Sequence, residues 1–250
     1  MAKKGFYVQT HLHTSESSDC GRATAVDMVR ACKAAGYDLI AITDHFVNVE
    51  FKKDCGLTWA EKIHHLFAGY RAAKAEGDRL GIEVLQGWES FIGGWPWEGT
   101  TPPEERRDGQ ELLTYGLGEE FLLANPDLED VTYGEYIRRV TEAGGIIVHA
   151  HPYRRAWYIP PFTPDPKSVE AYEVYNDHNK DPEWNRLALA EAKANGLLMM
   201  AGADAHRAED VAAGAMRFSR PVHSMAEIFA ALRGGDGQII EKLPPIDQLT

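Results

Sequence analysis

Apolar residues along this chain fall into two alternating kinds of run, with polar punctuation between them. Four stretches open on a Ser or Thr followed three residues later by an acid: Thr24 with Asp27, Thr58 with Glu61, Thr132 with Glu135 and Ser224 with Glu227. A hydroxyl at the first position and an acid at the fourth satisfy orphan N–H groups at a helix start, so each stretch predicts a helix. The four runs close at Gly36, Gly77, Gly144 and Gly234, where a residue without Cβ suits the left-handed turn that ends a helix. A fifth run, from Asp181 and Pro182 to Gly196, is punctuated in the same way.

Short, nearly continuous apolar segments follow most of these glycines: Tyr37 to Thr43, Ile82 to Gly87, Ile146 to Ala150 and Leu197 to Ala201. Such segments suit parallel strands covered on both faces. Phe6 to Thr10 and Ala171 to Tyr175 add two more strands. Helix, glycine and buried strand in repetition predict an α/β fold of parallel β/α units, closed as a barrel. No GxGxxG follows the first strand and no GxxxxGKS/T occurs, so dinucleotide and Walker-type phosphate loops are excluded. Gly93 to Asp108, rich in Trp, Pro, Glu and Arg, reads as a long loop.

Composition narrows the picture only modestly. The 250 residues can bury a full core as one domain spanning 1–250, a common size for β/α barrels. A formal charge of −12 with no long basic face excludes duplex nucleic acid as an expected partner, while small anionic substrates stay open if metals supply positive charge. Cys20, Cys32 and Cys55 form no CxxC pair, which argues against a disulfide framework or a thiolate zinc motif and for a reducing cytoplasm. The start, Met1 to Gly5, carries no apolar signal region, and no later stretch reaches the roughly 18 apolar residues of a membrane span. A soluble cytoplasmic protein without membrane contact is the expectation.

The chemistry gathers at strand ends. Strand one runs into His11-Leu12-His13, and strand alternation points both imidazoles to one side. Two such nitrogens are half a metal site, although an HxH pair also occurs on wet strand faces. The next strand ends in Asp44-His45, the third in Glu89, a later one in His149-Ala150-His151, and another in Asp204-Ala205-His206. The C-terminal strand ends of a β/α barrel form its active-site face, so these distant segments would converge on one pocket.

In this order HxHT, Asp19 near Gly21, IAITDH, GWE, HAHP and GADAH resemble the PHP-domain family, the polymerase and histidinol phosphatase superfamily. The likeness runs nearly the whole length of the chain and resembles the stand-alone metal-dependent phosphoesterases. It implies a distorted (β/α)7 TIM-like barrel with two or three divalent metals (Zn, Mn or Fe) at the C-terminal strand ends, acting on a small phosphorylated metabolite or nucleotide through metal-activated water. By the same resemblance His11, His13 and Asp204 would hold a first metal, Glu89 would bridge to a second, and His151 would bind the second. His45 and His206 would hold a third, with Asp19 as a further ligand, and Asp44 would orient His45 from behind. Three-metal members commonly supply one more histidine between the bridging acid and the AHP segment. Here no His occurs between Glu89 and His149, and Glu111 and His149 are the candidates to replace it, each equally able to be structural.

For phosphate recognition the nearest residue is Arg154, just past His151-Pro152-Tyr153, because a guanidinium can grip phosphate in a fork. Arg22, Arg155 and Arg217 are weaker candidates. Trp88, Trp95 and Trp97 could line a pocket or simply pack a loop. His64, His65, His178 and His223 read as surface or supporting histidines. Two other readings compete: C–N hydrolysis of the amidohydrolase type, which often bridges metals with a modified lysine where this chain has Glu89, and a non-catalytic metal-binding accessory module.

Overall fold

The computed structural model of the chain describes residues 5–51, 55–92, 110–156, 159 and 164–249. Nine strands occur among them: β1 (Phe6–Gln9), β2 (Leu39–Ile42), β3 (Glu83–Ile92), β4 (Gln110–Tyr115), β5 (Ile146–His149), β6 (Ala171–Asn176), β7 (Leu198–Gly202), β8 (Ala213–Phe218) and β9 (Gln238–Lys242). They form one sheet in the order β7-β6-β5-β4-β3-β2-β1-β8-β9. β1/β2, β2/β3, β5/β6 and β6/β7 are parallel pairs. Four others are antiparallel, β3/β4, β4/β5, β1/β8 and β8/β9, so the expected all-parallel architecture is corrected to a mixed sheet. The reversal comes from β4 and β8, two strands outside the repeating pattern, and β9, antiparallel to β8, runs in the same direction as β1.

The sheet curls into a nearly closed, distorted, TIM-like barrel, and a buried amide links β1 to the start of β8 and to the residue just past β7. Gln9 Nε2 donates to Tyr37 Oη and the Ala213 carbonyl, while its Oε1 accepts the Ala203 N–H at 2.9 Å. Thr10 Oγ1 reaches the Ala201 carbonyl at 2.8 Å, and Leu12 bridges Ala205 in parallel. Gly214, at φ 60°, lies against β7 so closely that a Cβ would stand 2.1 Å from the Gly202 carbonyl oxygen. Only glycine fits there.

Both faces of the parallel strands are buried, as their unbroken apolar sequence requires. Ile40 and Ile42 of β2 pack in one cluster with Met28, Val29 and Cys32 of α1 (Ala25–Ala35) and with Ala73 of α4 (Ala68–Leu80). Leu39 and Ala41 join Val8, Val148, Ala171 and Met216 in a second cluster, to which α8 (Met225–Arg233) adds Ile228 and Phe229. The anticipated caps all form: Thr24, Thr58, Thr132, Asp181 and Ser224 each accept a backbone N–H at the start of α1, α3 (Trp59–Leu66), α6 (Tyr133–Glu142), α7 (Pro182–Asn195) and α8. Two endings differ. Gly234 closes α8 at φ −79°, and the left-handed residue is Gly235 beyond it, at φ 79°. The run from Thr58 breaks at Phe67 and restarts as α4, which ends at Gly81 and not at Gly77.

Trp88 is fully buried, and its indole N–H donates to Tyr136 Oη at 2.7 Å, so it packs the core and lines no pocket. Trp95, Trp97 and the expected loop Gly93 to Asp108 lie outside the described residues. No helix among the described residues is long and apolar enough to cross a membrane, and the three cysteines are free.

Candidate metal centre

His11 and His13 follow β1 directly, and their alternation does bring both rings to one side: the two Nε2 atoms are 3.2 Å apart, while Leu12 between them enters the core. Asp204 and Glu89 complete a fully buried quartet with them. His11 Nε2 lies 3.4 Å from Glu89 Oε1 and 3.5 Å from Asp204 Oδ1. His13 Nε2 lies 3.4 Å from Glu89 Oε2 and 3.2 Å from Asp204 Oδ1. Four donors placed tetrahedrally about 2.0 to 2.1 Å from an ion are about 3.3 Å from one another. The separations among His11 Nε2, His13 Nε2 and Asp204 Oδ1, 3.2 to 3.5 Å, match that value, and Glu89 turns one oxygen to each imidazole.

Two further groups share this floor. His151 Nε2 is 3.0 Å from Glu89 Oε1, and its Nδ1 is 3.6 Å from Glu111 Oε2, an oxygen buried without a hydrogen-bond partner. His45 Nδ1 is 3.3 Å from Glu89 Oε2 and likewise lacks a hydrogen bond. His13, Cys20, His45 and His206 make another cluster whose candidate ligand atoms lie within 4.8 Å of one another. Thus Glu89 faces four imidazoles from three segments of the chain. His151 and Asp204 sit at φ 29° and 52°, a region disfavoured for residues with a Cβ, and both point into the centre. Backbone strain of this kind costs about 1–3 kcal/mol and persists where a site requires it.

The charges fit a bound cation. Burial opposes protonation of His11, yet Glu173, Asp204 and Glu89 hold its pKa well above the usual imidazole range. Burial likewise opposes protonation of His13, but hydrogen bonds to Asp204 and Glu89 raise it to about 9. Burial would raise Glu89 and Asp204, but His11, other imidazoles and, for Asp204, Arg154 hold both well below the carboxylate range. Burial, then the charge of His13, pushes His45 down to about 3 and His206 to about 4. Burial and then Glu89 push Glu111 up to about 7. A carboxylate-rich cage thus draws protons onto two histidines, a demand for positive charge that divalent ions meet with the imidazoles neutral.

A supporting layer fixes the donors. Glu173 on β6 places Oε1 2.9 Å from His11 Nδ1, and its Oε2 accepts the His151 N–H and an N–H of Asn176. Glu173 is not among the expected ligands or their supports, although an acid inside the buried run Ala171 to Tyr175 is a signal. Carboxylates behind metal-binding histidines tune ligand orientation and basicity. Glu173→Gln is expected to weaken metal binding by about 10- to 100-fold, measured by competition with a chromogenic chelator. Unchanged affinity would reduce Glu173 to packing. Asp44 does not touch the ring of His45 as expected. It accepts from Thr14 N and Oγ1 and from Ser18 Oγ, and that same Ser18 oxygen accepts the His45 backbone N–H.

Several expectations land elsewhere. Asp19 is exposed and belongs to none of the clusters; its N–H donates to Glu50, and Cys20 takes the inward position. His149 ends β5 buried against Tyr172, with ring centroids 5.3 Å apart, and the left-handed turn at His151 breaks the alternation that would have paired their side chains. Above the floor lies a cavity of about 370 Å³ whose lining includes Cys20, Arg22, Glu111, Arg154, His178 and Arg207. Arg154 is buried and donates to Asp204, Asn176 and Asn179, so much of its guanidinium is committed to holding Asp204. Arg155 and Arg217 do not line the cavity, whereas Arg207 and His178, neither assigned to it from sequence, do. His64 and His223 pair with Glu119 and Glu83 on the surface, and His65 packs on Phe51.

Buried imidazoles and carboxylates from separate strands, meeting at the mouth of a mixed barrel, define a centre able to bind metal. The PHP domain model matches residues 9–144 and the PHP-associated model residues 182–236, and the chain belongs to the PHP family. No curated protein matches it. Among solved structures it resembles a two-domain Bacteroides vulgatus protein containing a predicted PHP-like metal-dependent phosphoesterase, at TM-score 0.62 and 17% identity, over 96% of this chain and 66% of that one. A Bifidobacterium adolescentis protein, itself only provisionally assigned as a metal-dependent phosphoesterase, aligns at TM-score 0.54 and 15% identity over 90% and 95% of the two chains. An amidohydrolase from Chromobacterium violaceum, with bound sulfate and no metal, aligns at 0.51 and 15% over 94% and 97%.

Proposed function

We propose that this protein is a metal-dependent phosphoesterase acting on a small phosphorylated metabolite or nucleotide. The observation that carries the reading is the buried quartet His11, His13, Glu89 and Asp204, its ligand atoms within 4.8 Å of one another on the floor of a cavity with arginines on its walls. In this reading the quartet holds one ion, Glu89, His151 and Glu111 hold a second, and His45 and His206 contribute to a third. Glu111 takes the place of the histidine missing from this chain, buried with one oxygen unpartnered and within reach of ligand atoms of Glu89 and His45. Zn, Mn or Fe would supply an activated water and neutralise charge on the phosphoryl oxygens.

The remaining work falls to the chain itself. Arg154 keeps Asp204 oriented and leaves a buried positive charge at the cavity wall. Arg22 and Arg207, both exposed at that wall, suit a phosphate arriving from solvent. A cavity of about 370 Å³ accepts a metabolite or one nucleotide and has no room for duplex nucleic acid. Segments matched by both PHP models build one sheet and one site, which supports a single catalytic domain over 1–250.

Metal analysis of the purified protein, followed by assay of the same sample on phosphomonoesters, phosphodiesters and amides, tests the reading. Phosphate release with bound metal supports it, and turnover of amides alone would favour the amidohydrolase alternative. Less than one bound metal per chain, with no turnover after adding Mn or Zn, would make the centre neither catalytic nor metal-binding.

A further inference from the structure

The loop between β1 and α1 is pinned along its length. Asp44 holds Thr14 and Ser18, the Ser18 N–H donates to the Thr14 carbonyl, and the Gly21 N–H donates to the Ser18 carbonyl, each of these two bonds at 2.9 Å. The Arg22 N–H donates to the His206 carbonyl at 2.7 Å, and the Asp19 N–H to Glu50 at 2.8 Å. Gly21 presses on Thr14 so tightly that a Cβ would stand 2.5 Å from its carbonyl carbon. With both flanks fixed, Asp19 faces solvent and Cys20 faces the cavity.

There Cys20 Sγ joins ring nitrogens of His13, His45 and His206, all within 4.8 Å of one another. The ring of His13 is fully buried, and both His13 Nδ1 and His45 Nδ1 lack hydrogen bonds. His13 Nε2 is already engaged by the quartet. Three donors are left, one of them sulfur.

We propose that Cys20 is a thiolate ligand which, with His45 and His206, forms the third metal position, in place of the carboxylate of Asp19. This rests on the metal-centre reading above and makes that one position distinct from the other two. As the metal–sulfur bond forms, the thiol proton leaves to solvent. Sulfur donors favour zinc or cobalt over the harder manganese, so this position selects a softer ion than one built from carboxylates. Three protein ligands also leave a coordination place open toward the cavity.

Cobalt(II) loading of the metal-stripped full chain tests the assignment, because a sulfur ligand gives a near-ultraviolet charge-transfer band that nitrogen and oxygen ligands do not. The expected result is a band whose intensity at saturation corresponds to one cobalt–thiolate bond per chain. It should vanish in Cys20→Ser and persist in Cys55→Ser and Asp19→Asn. Cobalt bound without the band, or a band that survives Cys20→Ser, overturns the thiolate assignment and leaves the rest of the metal reading standing. No cobalt bound at all overturns both. Should Cys20→Ser fail to fold, alkylation of the wild-type chain, read by mass spectrometry, replaces it. Zinc loading should slow labelling of Cys20 by roughly tenfold or more, since a coordinated thiolate is shielded from the reagent. Equal labelling with and without zinc overturns the proposal.

Discussion

Glu89→Gln is expected to lower kcat/KM by about 10³-fold or more, equivalent to about 4 kcal/mol of transition-state stabilisation, and to cost the protein part of its metal. The substitution keeps the shape of the side chain and removes one charge. That charge faces His11, His13, His45 and His151, at separations of 3.0 to 3.4 Å. An amide nitrogen in place of one oxygen would present N–H groups to imidazole nitrogens that must themselves be unprotonated to bind metal. Because Glu89 lies between the first two proposed positions, both should weaken together. Metal content by mass spectrometry and kcat/KM on the best phosphate ester decide the matter. A variant with full metal and full activity would remove Glu89 from the centre, whatever its position.

Most of this centre was legible because its donors stand at strand ends. An apolar run that stops at His11, His45 or Asp204 declares both the strand and the polar end that caps it, whereas Glu89 lies inside β3, which runs on to Ile92. Helix starts were equally legible, since Thr24, Thr58, Thr132, Asp181 and Ser224 carry their capping oxygen in the sequence itself. What stayed hidden depends on distant contacts. Glu173 looks like the polar member of an alternating strand until His11, 162 residues away, is seen against it. The choice of Cys20 over Asp19 is made by Asp44, Glu50 and the His206 carbonyl, none adjacent in sequence. β4 and β8 interrupt the helix, glycine and strand rhythm, and their antiparallel pairing follows from neighbours and not from local pattern. The break at Phe67 was invisible because α3 and α4 abut without an intervening loop.

Removing the metals should cost stability as well as activity. Glu89, Asp204, Glu173, Asp44 and Glu111 are buried in and around one site, with exposures of 8% or less. Arg154 and protons on His11 and His13 offset only part of that negative charge in the stripped protein. An ion that binds only the folded chain, present at 100 times its dissociation constant, stabilises it by about 2.7 kcal/mol. For a chain of this length each kcal/mol moves Tm by about 2–4 °C, so chelation should lower Tm by about 5–10 °C for each tightly held ion. Readdition of zinc or manganese should restore the original melting curve. The same chelation applied to Glu89→Gln should move Tm much less, since that variant has less metal to lose. If loaded and stripped wild-type protein melt together, the buried imidazoles and carboxylates already satisfy one another through protons. In that case the quartet is a hydrogen-bonded core cluster, and its close spacing carries no implication for metal.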